Sequence, residues 1–166
     1  MPDRLSHPPR PPHPPWHDAV FLVALMATAL ALGAALAHAY ELPNKIGLDR
    51  EAYFTVQRIY AGWNRLGFVL LIQLLSLAAT AVLWRREPPV LLPVLLAILG
   101  LLSAQAVFWI WTQPANVATD NWTRVPEGWE AVRRDWEYSH LAGAAFQLLA
   151  TAGLGVAAIG RARRRL

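Results

Sequence analysis

The sequence contains no cysteine, which excludes disulfide bonds, thiolate catalysis and redox chemistry that needs a Cys-x-x-Cys pair. Charge is scarce as well, because only 16% of the 166 residues are Asp, Glu, Lys or Arg. The formal net charge of +4 does not indicate a nucleic-acid-binding protein, since the clearest basic clusters abut apolar runs. A composition this apolar also excludes an ordinary small soluble domain.

Hydrophobic residues make up 55% of the chain. Four apolar runs approach or reach the roughly 20 residues that a helix needs to cross the hydrocarbon of a bilayer. No internal repeat divides the chain. We therefore predict an all-α fold, a four-transmembrane-helix bundle with short helical extensions on the outer side, as a single membrane domain over residues 18–166. The predicted spans are about 19–41, 64–84, 90–111 and 139–160.

Residues 1–17 are predicted to form a Pro-rich disordered tail, because three Pro-Pro pairs there oppose a helix. An alternative interpretation takes the first span as a secretory signal, with Ala37-His38-Ala39 as its cleavage site. The apolar run is about 20 residues long, whereas a signal core has about 7–15. We therefore expect the first span to be retained.

Arginines mark the predicted inner side of the membrane. Arg85 and Arg86 follow the second span, and Arg161 with residues 163–165 follows the fourth. Such clusters normally stay in the cytoplasm, so we expect both termini there. The sequence thus predicts an integral protein of the bacterial inner membrane, with the lipid bilayer as its partner and no nucleic acid.

The first outer segment is predicted to carry a helix of its own. Pro43 is expected to end the first span, and Asp49 to cap a helix over Arg50–Trp63 that runs straight into the second span. Its polar and aromatic residues fall on one stripe, which indicates either a helix at the lipid headgroups or the wall of a pocket. The stripe consists of Tyr53, Gln57, Tyr60 and Asn64.

The second outer segment is predicted to be a loop from Thr112 to the start of a helix at Pro126. From Trp129 that helix continues into the fourth span. One of its faces is polar along its length and should not face lipid. That face carries Trp129, Arg133, Glu137, His140, Gln147 and Thr151.

Two histidine–carboxylate pairs lie at the ends of spans: His38 with Glu41, and Glu137 with His140. A spacing of three residues puts both side chains on one helix face. Ionisable groups at membrane depth indicate a functional site. Counting helical rise from the inner ends of the spans predicts that both pairs lie in one layer at the outer boundary of the hydrocarbon, and it leaves open whether they touch. Asn64, Trp109 and Trp111 belong to the same layer, and Gln105 and Gln147 lie below it.

Four kinds of function fit such a layer. A histidine held by a carboxylate can act as a general base. A single metal could instead be held by His38, Glu41, Glu137 and His140, although the ligands are too few for a di-metal centre. A haem could be ligated by His38 and His140. The fourth possibility is a non-enzymatic membrane or partner-binding protein. We favour the general base without metal or cofactor.

The second half of the chain resembles the anthrone oxygenase-like family of small four-helix membrane proteins. The resemblance rests on an Asn-rich segment after the third span and on a Trp, Arg, Trp and His array that enters the fourth. Gly143 departs from the pattern, because a basic residue is expected there. The residues that carry the resemblance are Pro114, Asn116, Asn121, Trp122, Trp129, Arg133, Arg134, Trp136 and His140.

The resemblance implies oxidation of a phenolic or anthrone-like molecule by dioxygen without a cofactor. It implies His140 as the general base, Glu137 as the residue that orients it, and Asn116 and Arg133 as stabilisers of the substrate anion. A fold does not settle a substrate, so these roles depend on the site itself. Further substrate contacts are expected from Asn121, Trp129, Trp136, Asn64, Tyr53 and Gln57.

Overall fold

The computed structural model describes residues 14–163, and it is all-α over that range. Four of its helical segments are long and apolar enough to cross a membrane, which confirms the predicted four-helix bundle: Pro15–Lys45, Trp63–Leu83, Pro88–Ala118 and Trp129–Ala162. The α-helices are α1 (Pro15–Lys45), α2 (Arg50–Gln57), α3 (Leu66–Leu83), α4 (Pro88–Val107), α5 (Gln113–Ala118) and α6 (Trp129–Ala162). We call the end formed by residues 41–65 and 112–128 the outer end.

Prolines interrupt α1 less than the sequence predicts. The helix begins at Pro15, so residues 15–17 are not part of a tail; proline suits the first helical position because no partner is needed there for an N–H. The rest of the predicted tail, residues 1–13, lies outside the described residues. Pro43 does not end the helix, which continues to Lys45. Its missing N–H removes only one hydrogen bond in the last turn.

The inner half of the bundle is held by close packing of α4 along α6. A Cβ atom on Gly153 would lie 2.6 Å from the carbonyl oxygen of Pro93, and one on Gly100 would lie 2.7 Å from that of Phe146. Such distances leave room only for glycine. The apolar core continues from there to α1 and α3 through Phe21, Ala24, Leu77, Trp84, Val94 and Leu154.

An ion pair ties the two ends of the chain together at the inner end. Arg161 of α6 donates to the carboxylate of Asp18 on α1. The guanidinium also stacks on two aromatic rings, with its carbon 4.0 Å from the centroid of Phe21 and 4.9 Å from that of Trp84. This contact closes the bundle by joining its first and last helices.

The third span does not end near residue 111 as predicted. A π-helical turn over Phe108–Thr112 leads directly into α5, so the segment predicted as a loop is helical to Ala118. The wider turn accommodates Pro114 in the first turn of α5, where a proline N–H is not needed. After α5 the chain reverses through three consecutive left-handed residues, Asp120, Asn121 and Trp122. The predicted helix start at Pro126 is also wrong, because α6 begins at Trp129.

The connection between α1 and α3 folds back over the outer end. Asp49 caps α2 as predicted, accepting a hydrogen bond from the N–H of Ala52 at 2.9 Å. The helix does not run straight into α3, however. It tightens to a 3-10 turn at Arg58–Tyr60 and breaks at Gly62, whose φ of 85° is one that glycine adopts without strain. This break turns Tyr53, Gln57 and Tyr60 towards the bundle.

Candidate functional site

The two histidines of the predicted layer are in direct contact. The ring centroids of His38 on α1 and His140 on α6 lie 4.0 Å apart, with an angle of 45° between the planes. Counting helical rise therefore placed these two side chains at the same depth correctly. His38 is buried and His140 is half-buried. The imidazole of His38 has an Nδ1 atom that is buried and finds no hydrogen-bond partner among the described residues.

A backbone contact sets the tautomer of His140. Its Nδ1 lies 2.8 Å from the carbonyl oxygen of Trp136, one helical turn earlier. Because a carbonyl oxygen only accepts, Nδ1 must carry the hydrogen and donate it. The neutral ring therefore presents Nε2 with a free lone pair. This is the atom that can accept a proton or a hydrogen bond from a ligand.

Aromatic rings enclose the histidine pair. The indole of Trp136 lies 4.0 Å from the ring of His140 and 5.1 Å from that of His38, measured between centroids. Tyr60 and Trp63 cover His38 from the other side, at 4.5 Å and 5.2 Å. The imidazoles therefore sit in a site that is aromatic on several sides, where hydrogen bonds are stronger than in water.

The histidine pair faces a cavity of about 780 Å³ between the four spanning helices. Residues from every span line it, together with residues of the outer segments. Its polar lining near the histidines includes Gln57, Asn64, Thr112, Gln113, Asn116, Asn121 and Ser139. A space of this size that is lined by apolar and aromatic side chains together with polar groups is typical of a small-molecule site.

Glu137 was expected to orient His140, but its carboxylate is bonded to other residues. Its carboxylate is fully buried, and Oε1 accepts a hydrogen bond from the hydroxyl of Tyr53 at 2.8 Å. The ammonium of Lys45 lies 3.2 Å from the same oxygen. Side chains three residues apart share one side of a helix but still point about 60° apart around its axis. Glu137 therefore reaches α2 and the end of α1, while His140 reaches His38 and the cavity.

Lys45 is the centre of a hydrogen-bonded chain that the sequence did not predict. It donates to the hydroxyl of Tyr60 at 2.6 Å and lies 3.6 Å from the carboxylate of Glu41. Tyr60 in turn donates to Glu41. At the other end Gln57 donates to the hydroxyl of Tyr53 at 2.5 Å. One feature of the sequence could have indicated Lys45, namely its position four residues after Glu41. This spacing places both side chains on one helix face only if the helix continues beyond Pro43.

We call this set the lysine cluster: Glu41, Lys45, Tyr53, Gln57, Tyr60 and Glu137. Two carboxylates face one ammonium in it, and the Oε2 atom of Glu137 has no hydrogen-bond partner among the described residues. Burial raises the pKa of Tyr53, and the nearby charge of Glu137 raises it further. Burial also raises the pKa of Tyr60, and its hydrogen bond to Glu41 adds to that rise. Both phenols are therefore held neutral, as donors to carboxylates.

Arg133 lies outside the cavity, so the structure does not support its predicted contact with a substrate anion. It donates to the carbonyl oxygen of Leu48 at 2.7 Å. Its guanidinium carbon lies 4.7 Å from the ring centroid of Trp129 and 5.4 Å from that of Tyr53. Neither Trp129 nor Tyr53 lines the cavity. These residues fasten α2 to the start of α6 instead.

Asn116 holds two indoles in place at the cavity rim. Its side-chain oxygen accepts from Trp136 Nε1 at 2.9 Å and from Trp122 Nε1 at 3.3 Å. Five of the residues expected to contact a substrate line the cavity: Asn116, Trp136, Gln57, and Asn64 and Asn121 with exposed side chains. Trp109 and Trp111 are exposed on the lipid side, although Trp109 also borders the opening.

The two carboxylates among the predicted metal ligands are bonded to other partners. Glu41 and Glu137 pair with Lys45 and the two tyrosines rather than with the histidines. Among residues 14–163 no group of three or more His, Cys, Asp or Glu side chains is placed to hold a metal ion. The imidazoles of His38 and His140 touch, so they would have to move apart to ligate one haem iron from opposite sides.

The fold and the apolar spans define an integral membrane protein with four membrane-spanning helices. Its site combines a pair of histidines in contact with a cavity that is lined by residues of all four spanning helices. No protein-family model matches the chain, and neither a curated protein nor a solved structure shows significant similarity to it.

Proposed function

We propose that the protein binds an apolar phenolic or anthrone-like molecule in its cavity and oxidises it with dioxygen, without a cofactor, using His140 as the general base. The observation that carries the proposal is the orientation of His140. Its Nδ1–H is committed to the Trp136 carbonyl, while the ring faces the cavity beside His38. A base with a fixed tautomer and a free nitrogen is what proton abstraction requires.

The environment of the pair supports this chemistry. A ligand that partitions into the bilayer meets a cavity lined mainly by apolar and aromatic side chains. When Nε2 accepts a proton, the hydrogen bond from Nδ1 to the Trp136 carbonyl becomes charge-assisted and therefore stronger. The aromatic rings around the pair lower the local dielectric, which strengthens the interaction between the imidazolium and the ligand anion.

The reaction balances with dioxygen as the only co-reactant. For an anthrone, His140 removes a proton from the methylene carbon, and the resulting carbanion is electron-rich enough to reduce dioxygen. One oxygen atom becomes the new ring carbonyl, and the other leaves as water together with the two methylene hydrogens. The substrate carbon is oxidised and dioxygen is reduced, and the proton held by His140 is returned when water forms.

The lysine cluster serves this proposal as a set of positioning residues. The ammonium of Lys45 lies 4.8 Å from the ring centroid of Trp136, which in turn stacks on His140 and supplies its hydrogen-bond acceptor. Glu137 fixes Lys45 from the opposite side. Glu137 therefore supports the base through Lys45 and Trp136, without contacting it.

We also propose the bacterial inner membrane as the location, with both termini in the cytoplasm. Arg85 and Arg86 are exposed in the turn between α3 and α4, at the same end of the bundle as Arg161. Basic residues next to spans favour the cytoplasmic side. The residues of the outer end that line the cavity then lie on the side away from the cytoplasm.

The test is oxidation of anthrone by the full chain in lipid nanodiscs, followed by dioxygen consumption and by the absorbance of anthraquinone. We expect His140→Ala to lower the rate by at least about 100-fold, which is the usual contribution of a general base. His17→Ala is the matched control: the same substitution, about 30 Å along α1 from His38 at the inner end of the bundle, should leave the rate unchanged.

Two outcomes contradict the proposal. An active His140→Ala variant would show that another group removes the proton. A wild-type protein that binds anthrone but never oxidises it would be a carrier or sensor of such molecules, as in the non-enzymatic alternative. Membrane insertion of each variant is checked by its yield in the membrane fraction, so that loss of folding is not taken for loss of catalysis.

A further inference from the structure

A second polar level lies deeper in the bundle, formed by three glutamines that we call the glutamine layer: Gln73, which is fully buried, and Gln105 and Gln147, which line the same cavity. Gln147 follows His140 by seven residues on α6, which is about 10 Å of helix. The hydroxyls of Thr112 and Ser139 lie 2.6 Å apart and set the register of the third span against α6. Because Gln105 precedes Thr112 by seven residues, it reaches the same depth as Gln147.

The three amides are not equivalent. Gln73 is fully buried and donates to the side-chain oxygen of Gln147 at 2.9 Å, which fixes the Gln147 amide. Gln105 and Gln147 both line the cavity. The side-chain amide of Gln105 makes no hydrogen bond to the described part of the chain. An amide at this depth is costly without a partner, so Gln105 is placed to bind a polar group brought in by a ligand.

The wall between the histidine pair and the glutamine layer is apolar. It is formed by small and hydrophobic residues from all four spans: Ala34, Ala35, Val69, Leu70, Phe108 and Gly143. The cavity therefore presents polar groups at two levels about 10 Å apart, with no hydrogen-bonding side chain among these wall residues.

We infer that the cavity selects an elongated apolar molecule with a hydrogen-bonding group at each end. The imidazole of His140 binds one end, and the amide of Gln105 binds the other. Gln105 is then a specificity-determining residue, and an aromatic diol or hydroxyquinone is preferred over a molecule with one oxygen. This inference rests on the proposed function only in taking the cavity as a small-molecule site.

The experiment compares two probes that differ in a single hydroxyl group, 2-naphthol and 2,6-dihydroxynaphthalene. Their affinities for the full chain in nanodiscs are measured by titration calorimetry, with empty nanodiscs as the blank for partition into lipid. We expect the diol to bind up to about tenfold more tightly, since one further hydrogen bond contributes about that factor.

Gln105→Leu keeps the size of the side chain and removes its amide, so it should abolish the preference for the diol and leave the affinity for 2-naphthol unchanged. Ser103→Ala is the control. It removes a polar group from the same span at a residue that does not line the cavity, so the preference should survive it.

The outcomes separate this inference from the proposed function. Equal affinity of the two probes for the wild-type protein overturns the two-ended ligand and leaves the small-molecule site standing. A preference that persists in Gln105→Leu overturns the role of Gln105. If neither probe binds, the cavity is not a site for such molecules and both proposals are wrong.

Discussion

In the inner half of the bundle α4 lies so close to α6 that Gly153 has no room for a side chain, whereas in the outer half the same two helices border a cavity of about 780 Å³. The inner half is stabilised by apolar packing, with small residues at the helix contacts. The outer half is stabilised by hydrogen bonds and stacked rings. Close packing of α4 on α6 in the inner half therefore holds the helices together and allows a cavity between them in the outer half.

The polar contacts of the outer half replace the packing that the cavity removes. The lysine cluster joins α1, α2 and α6, and the two indoles on Asn116 join α5 to α6. Such contacts are strong at this depth only if every group keeps its partner. The outer half should therefore be sensitive to loss of one charge, and the inner half to gain of volume.

The largest effect is expected from Lys45→Met in the outer half. The substitution leaves the fully buried carboxylate of Glu137 without its cation. Removing one partner of a buried ion pair costs about 3–5 kcal/mol of unfolding free energy. We expect a fall of that size in nanodisc or detergent unfolding followed by circular dichroism.

Two further variants make this prediction specific. Replacing both partners, as in Lys45→Met with Glu137→Leu, should recover much of the lost stability because no fully buried charge is then left unpaired. The carboxylate of Glu41 also loses Lys45, but it is half-buried and keeps its hydrogen bond from Tyr60. Arg134→Met removes an exposed cation from α6 and should change the stability little. A double variant as unstable as Lys45→Met alone would show that the unpaired carboxylate of Glu137 is not the cause of the loss.

The sequence allowed the frame of the molecule to be predicted because lipid imposes few solutions. Apolar runs of sufficient length must cross as helices, and antiparallel crossings of similar length bring residues near their outer ends to one depth. The shared depth of His38 and His140 follows from that geometry, whereas their contact also needs both side chains to point inwards. Depth can be counted along a helix without knowing which face points inwards.

The partners within the site could not be predicted in the same way. Whether Glu137 meets His140 or Lys45 depends on the direction of each side chain around the α6 axis and on the position of α2. That position is set by the break at Gly62 and by the continuation of α1 beyond Pro43. Asn116 was expected in a loop, because the π-turn that extends the third span has no clear sequence signal.

A smaller effect is expected from Gly153→Val in the inner half. A Cβ there would lie 2.6 Å from the Pro93 carbonyl oxygen, so α4 and α6 must move apart. Overpacking of this kind typically costs about 1–3 kcal/mol, measured by the same unfolding experiment.

Gly155→Val is the matched control for this variant. It introduces the same β-branched residue two positions away, where the added Cβ meets no atom of residues 14–163 within 4 Å. If both variants lose the same stability, the cost comes from valine in the helix and not from the contact. The comparison of the two halves also predicts that the folded fraction of Gly153→Val keeps its affinity for 2-naphthol, because the cavity lies above the affected contact.

The smallest effect concerns the two tyrosines of the lysine cluster. Burial and adjacent carboxylates raise the pKa of Tyr53 and of Tyr60 above the ordinary value of about 10. A phenol whose pKa is raised by folding stabilises the fold below pH 10, and this stabilisation is lost as the pH rises towards the folded-state pKa.

In the folded protein neither group should ionise up to about pH 11. Tyr53→Phe and Tyr60→Phe should therefore leave the tyrosinate absorbance gained up to that pH unchanged. A smaller absorbance gain in either variant would show that the replaced tyrosine ionises in the folded protein and is in contact with water. The lysine cluster would then not be buried in the outer half.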